Sequence, residues 1–209
     1  MSAEGSSETR RLFIAVMPPT AIQQQLAGLI DLLAAHRAIL RPARPEGLHV
    51  TLRFLGASTA DEERRAAEAC AEAAAEVESF QLVVGGFGVF PSARRPRVVW
   101  LDVRDGTAAL VALHHRLEDE LLRRGVIAAR EAFTPHLTLA RVRDDASPSA
   151  RAALGLDVSR LPDEERARLT VDRVSLVHST LTPRGSRYDV LRSAPIAPRH
   201  AECWRRVER

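Results

Sequence analysis

A unit made of a strand, a helix and a strand introduced by histidine occurs twice along this chain, and that repetition limits the fold more than any other feature. In the first half, residues 11–16 (RLFIAV) form a strand-like run. Residues 20–36 then carry Ile22, Leu26, Leu29, Ile30 and Leu33 at the spacing of one helical face, and Thr20 with Gln23 has the pattern of a capping box. His49-Val50-Thr51-Leu52 closes the unit. In the second half, residues 97–103 (RVVWLDV) are strand-like and Thr107 stands where a cap is expected. Leu110, Leu113, Leu117 and Leu121 mark a helix that Gly125 ends, and His136-Leu137-Thr138-Leu139 comes after it. Arg11 to Arg97 is an offset of 86 residues and His49 to His136 an offset of 87, so the halves stay in register. They read as one fold unit present twice.

On a strand, successive side chains point to opposite faces. His49 and Thr51 therefore share one face, as do His136 and Thr138, while Val50, Leu52, Leu137 and Leu139 face the core. Each strand presents a proton carrier beside a hydroxyl donor. An imidazole titrates near ~6.5, so one of two can be neutral while the other is protonated close to neutral pH, the states a general base and a general acid need. Strict alternation also puts Arg53 on the His49 face. It puts Arg141 opposite to His136, so Arg141 reaches the site only from a strand end or a bulge.

Other histidines compete with these two. His178-Ser179-Thr180-Leu181 fits the same tetrapeptide pattern, but it comes after the second unit and has no counterpart one offset earlier, so it reads as structural or peripheral. His114 and His115 are adjacent on a helix and at most one faces inward. His36 and His200 fall at a helix end and in a tail. A metal site needs a third ligand, and no His-x-x-x-His pair, CxxC or tight carboxylate cluster accompanies His49 or His136.

Composition narrows the chemistry further. All 30 basic side chains are arginine, giving a formal charge of +3. Without lysine there is no lysyl-nucleotide intermediate, no Schiff base and no P-loop amine. Guanidinium forks suit a polyanionic partner, although genome base composition explains an arginine bias equally well. Cys70 and Cys203 are too few for a disulfide framework. No apolar run approaches the ~18–20 residues of a membrane span and residues 1–10 are polar, so the expectation is a cytoplasmic monomer without a membrane partner.

Between the units, residues 59–79 are Ala- and Glu-rich with a Thr59/Glu62 capping box and read as a packing helix. Residues 80–90 read as a strand, and residues 91–96 (PSARRP) as a turn-rich connector. That connector is either a lid carrying Arg94 and Arg95 to a bound polyanion or a solvated basic loop. Residues 144–165, punctuated by Pro148, Gly155 and Pro162, read as an irregular excursion. Residues 169–181 and 186–191 resume as strands, joined by a turn at Pro183-Arg184-Gly185.

Taken in order, residues 11–16 (RLFIAV), 48–56 (LHVTLRFLG), 85–96 (GGFGVFPSARRP) and 133–141 (FTPHLTLAR) resemble the bacterial and archaeal RNA 2′,3′-cyclic phosphodiesterases. These were formerly called 2′-5′ RNA ligases, or LigT, and belong to the two-histidine phosphoesterase superfamily. The resemblance spans about residues 11–191. It implies an α+β, bilobal, pseudo-two-fold fold in which two largely antiparallel sheets, with helices outside, face a central cleft lined by His49, Thr51, His136 and Thr138. Residues 1–10 become a flexible N-terminal segment, 11–193 a single bilobal domain with repeats at about 11–90 and 97–192, and 194–209 a basic tail.

The activity so implied is hydrolysis of RNA 2′,3′-cyclic phosphodiester ends to 2′-phosphomonoesters, with no cofactor and no metal. Small cyclic nucleotides are further candidate substrates. Spacing leaves the acid and base assignment open. The resemblance implies that His49 protonates the leaving 3′-oxygen and His136 activates water, with Thr51 and Thr138 donating to the phosphoryl oxygens and Arg141 as a further clamp. Two other readings stand beside it: 2′-5′ ligation by the reverse reaction, and a non-catalytic RNA-end binder.

Overall fold

The fold was analysed in a computed structural model that describes residues 9–127, 132–182 and 185–198. Strand β1 (Arg10–Val16) is buried from Leu12 onward, and Pro19 precedes helix α1 (Thr20–Gly28). The helix expected over residues 20–36 divides here. After Gly28 a 3-10 segment (Leu29–Ile39) continues with Leu33 in a non-helical conformation. The break lets Leu33 pack with Leu40, Val99 and Leu154 in an apolar cluster of their own. The Thr20/Gln23 box does not form, because Gln23 is buried and donates its side-chain amide to the Leu48 carbonyl at 3.4 Å.

Strand β2 (Leu40–Pro42) and a 3-10 turn (Pro45–Gly47) lead to β3 (Val50–Ser58). Helix α2 (Ala60–Ala75) starts on the expected box: Thr59 Oγ1 accepts from the Glu62 amide at 3.3 Å, and Glu62 accepts from the Thr59 amide at 2.8 Å. Strands β4 (Phe80–Phe90) and β5 (Val98–Asp105) form a hairpin, and α3 (Thr107–Arg123) comes next. The cap of α3 is Gly106, whose φ of 78° suits glycine. Thr107 is instead the first helical residue and donates its hydroxyl to the Val103 carbonyl at 2.9 Å.

Strand β6 (His136–Val142) is followed by α4 (Pro148–Val158), where the sequence suggested irregular chain. Ser147 accepts from the Ala150 amide and Pro148 takes the first helical position, a start signal outweighed in sequence by the surrounding Gly and Pro. The 91–96 connector rests on this helix, since Gly155 lies against the Ala93 carbonyl with no room for a Cβ. Strands β7 (Glu165–Val171), β8 (Arg173–Thr182) and β9 (Gly185–Pro195) complete the chain. Pro183 and Arg184 of the expected turn lie outside the described residues.

The strands run β7-β4-β5-β6-β3-β1-β8-β9, all antiparallel, with β2 pairing on β6. The α+β pseudo-two-fold arrangement is visible in this order: β1 lies between β3 and β8 as β5 lies between β6 and β4. The two expected sheets are continuous with each other, joined through the pair Val50↔Leu137. Each half of the sheet draws on distant chain: β7 joins β4, and β8, with β9 paired on its outer edge, returns to β1.

One sheet face is covered by helices. Leu110, Leu113, Leu117 and Leu121 of α3 are buried there with Leu12, Ile14, Leu52, Leu101 and Leu137. Each fully buried leucine contributes roughly 1.5–3 kcal/mol, whereas an exposed, solvent-screened pair such as Arg64–Glu68 contributes little. Burial therefore decides the position of the helices. The opposite face carries the histidines.

Candidate active site

The pair Val50↔Leu137 joins the two histidine strands antiparallel near their starts. Extending that register sets His49 opposite Thr138 and Thr51 opposite His136, so all four side chains project to the face away from the Val50 and Leu137 side chains. Cβ atoms of such opposed residues stand ~4.5–5.5 Å apart. His49 sits one residue ahead of β3, and His136 is the first residue of β6. The four candidate residues thus meet around one pseudo-two-fold point.

Two matching β-bulges change which face the later residues of each strand occupy. Ala15 pairs with Thr51 and Ile14 with Arg53, leaving Leu52 as an extra residue in β3. Trp100 pairs with Thr138 and Val99 with Ala140, leaving Leu139 as an extra residue in β6, one offset of 87 later. Each bulge inverts the alternation beyond it. Arg53, expected beside His49, turns to the helix face and bonds Glu118 of α3 at 2.9 Å and the Ile127 carbonyl. Arg141 turns onto the histidine face, where its positive charge is felt at His49. In the first half, the position matching Arg141 holds Phe54, which is 62% exposed.

The two imidazoles are held alike. Nδ1 of His49 is 2.7 Å from the Gly47 carbonyl, and Nδ1 of His136 is 2.8 Å from the Thr134 carbonyl. A carbonyl only accepts, so each Nδ1 is the protonated donor and each Nε2 is left for chemistry. Around His49 the Phe13 ring lies 4.7 Å away and Tyr188 meets it edge-on at 5.3 Å. Around His136, Phe90 lies edge-on at 5.0 Å and Trp100 at 6.1 Å.

Burial pushes the His49 pKa down from 6.5 to about 4. The Gly47 hydrogen bond opposes this shift, while the positive charges of His136 and Arg141 add to it. His49 is therefore neutral at pH 7 in the free protein. An anion bound beside it supplies the opposite charge and favours the imidazolium.

The remaining histidines lie elsewhere. His178 pairs with Leu12, a helix-face residue, so it points away from His49. His114 is buried, stacked on Phe133 at 4.1 Å, with Nδ1 3.1 Å from the Leu52 carbonyl, while His115 is exposed. His36 binds Asp157 of α4 at 2.8 Å. His200 and Cys203 lie outside the described residues, and burial raises the Cys70 thiol to about 12. Arg94 and Arg95 are exposed on the connector. Among the described residues no group of three His, Cys, Asp or Glu side chains is placed to hold a metal, and no helix is long and apolar enough to cross a membrane.

Sequence reasoning missed the aromatic lining. Phe13 and Trp100 sit on strands beside the histidine strands and Phe90 one strand further out, on β4, and their signal was the alternation of β1, β4 and β5. Tyr188 comes from β9 and left no local signal. Phe54 was legible through the offset alone, as the counterpart of Arg141.

Known proteins resemble this chain in sequence and in fold. The profile of the 2′-5′ RNA ligase superfamily matches residues 18–182. A Methanothermobacter thermautotrophicus protein named RNA 2′,3′-cyclic phosphodiesterase is 32% identical over 178 residues, covering 85% of this chain and 94% of the relative. A Thermotoga maritima protein of the same name is 33% identical, covering 87% and 92%. Among solved structures, the Thermus thermophilus protein TT0787 aligns with a TM-score of 0.74 at 25% identity, covering 91% of this chain and 100% of that one. Escherichia coli LigT complexed with 3′-AMP aligns with a TM-score of 0.68 at 25% identity, covering 90% and 99%. With a profile match over most of its length and relatives above 30% identity covering nearly all of it, the chain belongs to the 2′-5′ RNA ligase superfamily.

Proposed function

We propose that this protein hydrolyses RNA 2′,3′-cyclic phosphodiester ends to 2′-phosphomonoesters by general acid-base catalysis between His49 and His136. The observation that carries the reading is the matched pair of imidazoles, each tied by Nδ1 to the carbonyl two residues before it and each with Nε2 left for proton transfer. Relatives named RNA 2′,3′-cyclic phosphodiesterase supply the substrate class.

In this reaction a water oxygen bonds to phosphorus as the bond from phosphorus to the 3′-oxygen breaks. His136 Nε2 takes the water proton and His49 Nε2 gives its proton to the 3′-oxygen. His49 must be charged at that moment although burial keeps it neutral in the free protein. The phosphodiester anion resolves this, since its charge raises the His49 pKa as it binds. The substrate thereby recruits the proton it consumes. Thr51 and Thr138 donate to the non-bridging oxygens, and Arg141 offers a guanidinium to the same charge. The exposed Phe54 ring supports a nucleoside substrate by offering a surface on which a base can stack.

The test is hydrolysis of an oligonucleotide ending in a 2′,3′-cyclic phosphate, with the position of the product phosphate determined. A 2′-phosphate is expected. RNA binding without turnover would make the protein an RNA-end binder, and a 3′-phosphate would overturn the assigned leaving oxygen.

A further inference from the structure

We infer that Arg41 forms, beside Arg141, a second phosphate subsite that takes the backbone phosphate on the 5′ side of the terminal nucleotide. The inference rests on the proposed phosphodiesterase reading and deepens it by making an oligonucleotide, rather than a lone cyclic nucleotide, the preferred substrate.

The residues preceding His49 run alongside β6. Leu40 pairs with Val142, Arg41 with Arg141 and Pro42 with Ala140. Directly opposed residues share a face, and the bulge at Leu139 has turned Arg141 to the histidine face. Arg41 is therefore on that face as well, with its neighbour Leu40 buried on the other side. From Thr138 to Arg141 is roughly 8–10 Å of strand, and β2 lies a further ~4.8 Å to the side. Arg41 stands about one nucleotide beyond the reacting phosphate.

Two guanidinium groups directly opposite each other destabilise a sheet, and here no carboxylate relieves them. Neither Arg41 nor Arg141 has a carboxylate partner among the described residues. Some exposed arginines elsewhere have one, as Arg37 bonds Asp31, Arg116 bonds Glu76 and Arg173 bonds Asp172, while Arg44, Arg94 and Arg95 have none among the described residues. What sets Arg41 and Arg141 apart is that they stand directly opposite each other on the histidine face. An uncompensated pair of cations on the histidine face is complementary to a polyanion that extends past the active site. A charge on a short edge strand also discourages edge-to-edge association, a role that predicts a change in oligomeric state and none in substrate preference.

The experiment measures kcat/KM for a 2′,3′-cyclic mononucleotide and for an oligonucleotide with the same end, in the wild type, Arg41→Ala, Arg41→Gln and the helix-side control Arg116→Ala. Arg41→Ala is expected to lower the oligonucleotide value by about tenfold and the mononucleotide value by less than about twofold, the scale of one lost charged hydrogen bond. It should also flatten the logarithmic salt dependence for the oligonucleotide by about 0.7. Equal losses on both substrates, no loss on either, or the same loss in Arg116→Ala would overturn the subsite. If the wild type hydrolyses neither substrate, the phosphodiesterase reading fails, and fluorescence anisotropy with a 3′-phosphorylated oligonucleotide then decides the subsite separately. Weaker binding by Arg41→Ala with unchanged binding of a nucleoside monophosphate supports it, and unchanged oligonucleotide binding overturns it.

Discussion

Burial of His49 against Phe13 and Tyr188 ties the chemistry of the site to the stability of the protein. The folded pKa of about 4 lies below the unfolded value near 6.5, so between these pH values the unfolded chain takes up a proton that the folded protein refuses. Stability contributed by neutral His49 is present above pH 6.5 and is lost as pH falls toward 4. The fall in unfolding free energy from about pH 7 to about pH 4.5 should shrink by about 2 kcal/mol in His49→Gln, measured by urea denaturation. In an NMR titration, the His49 ring of the free protein should titrate near 4 and move upward when inorganic phosphate is added. A midpoint at or above 6.5 without ligand would show that burial does not control this group. His49→Ala and His136→Ala should each lower turnover by at least ~10². His178→Ala, on the other face of the sheet, should stay near wild type, and a comparable loss there would contradict the assigned orientation.

Between strands, the two bulges do more than any single side chain to decide which residues share the face of the histidines. The extra residue Leu52 sends Arg53 to α3, and the extra residue Leu139 sends Arg141 to the histidines. Arg53 then connects β3 to Glu118 of α3. Removing one partner of a buried pair typically costs about 3–5 kcal/mol. Arg53→Ala should therefore lower unfolding stability by about 3 kcal/mol, while kcat measured well below its melting temperature changes by less than about threefold. A large fall in kcat with unchanged stability would place Arg53 in the site, as unbroken alternation expects.

Across the whole molecule, the site forms where the two sheet halves meet, so it depends on both sequence units at once. No three ligating side chains converge there among the described residues. Hydrolysis should accordingly persist in excess EDTA, and loss of activity that zinc or manganese restores would refute a metal-free reaction. The sequence by itself determined the repeated unit, the His-x-Thr-x strands, the apolar stripe of α3 and the Thr59/Glu62 cap, because periodicity, offset and capping are local properties of the chain. Tertiary structure alone decided the pairing of β4 with β7, the return of β8 to β1, the inversion of Arg53 and Arg141, and the burial of His49 by Tyr188. Each of these depends on contacts between residues far apart in sequence, and a bulge becomes visible only when a strand is set against its partner.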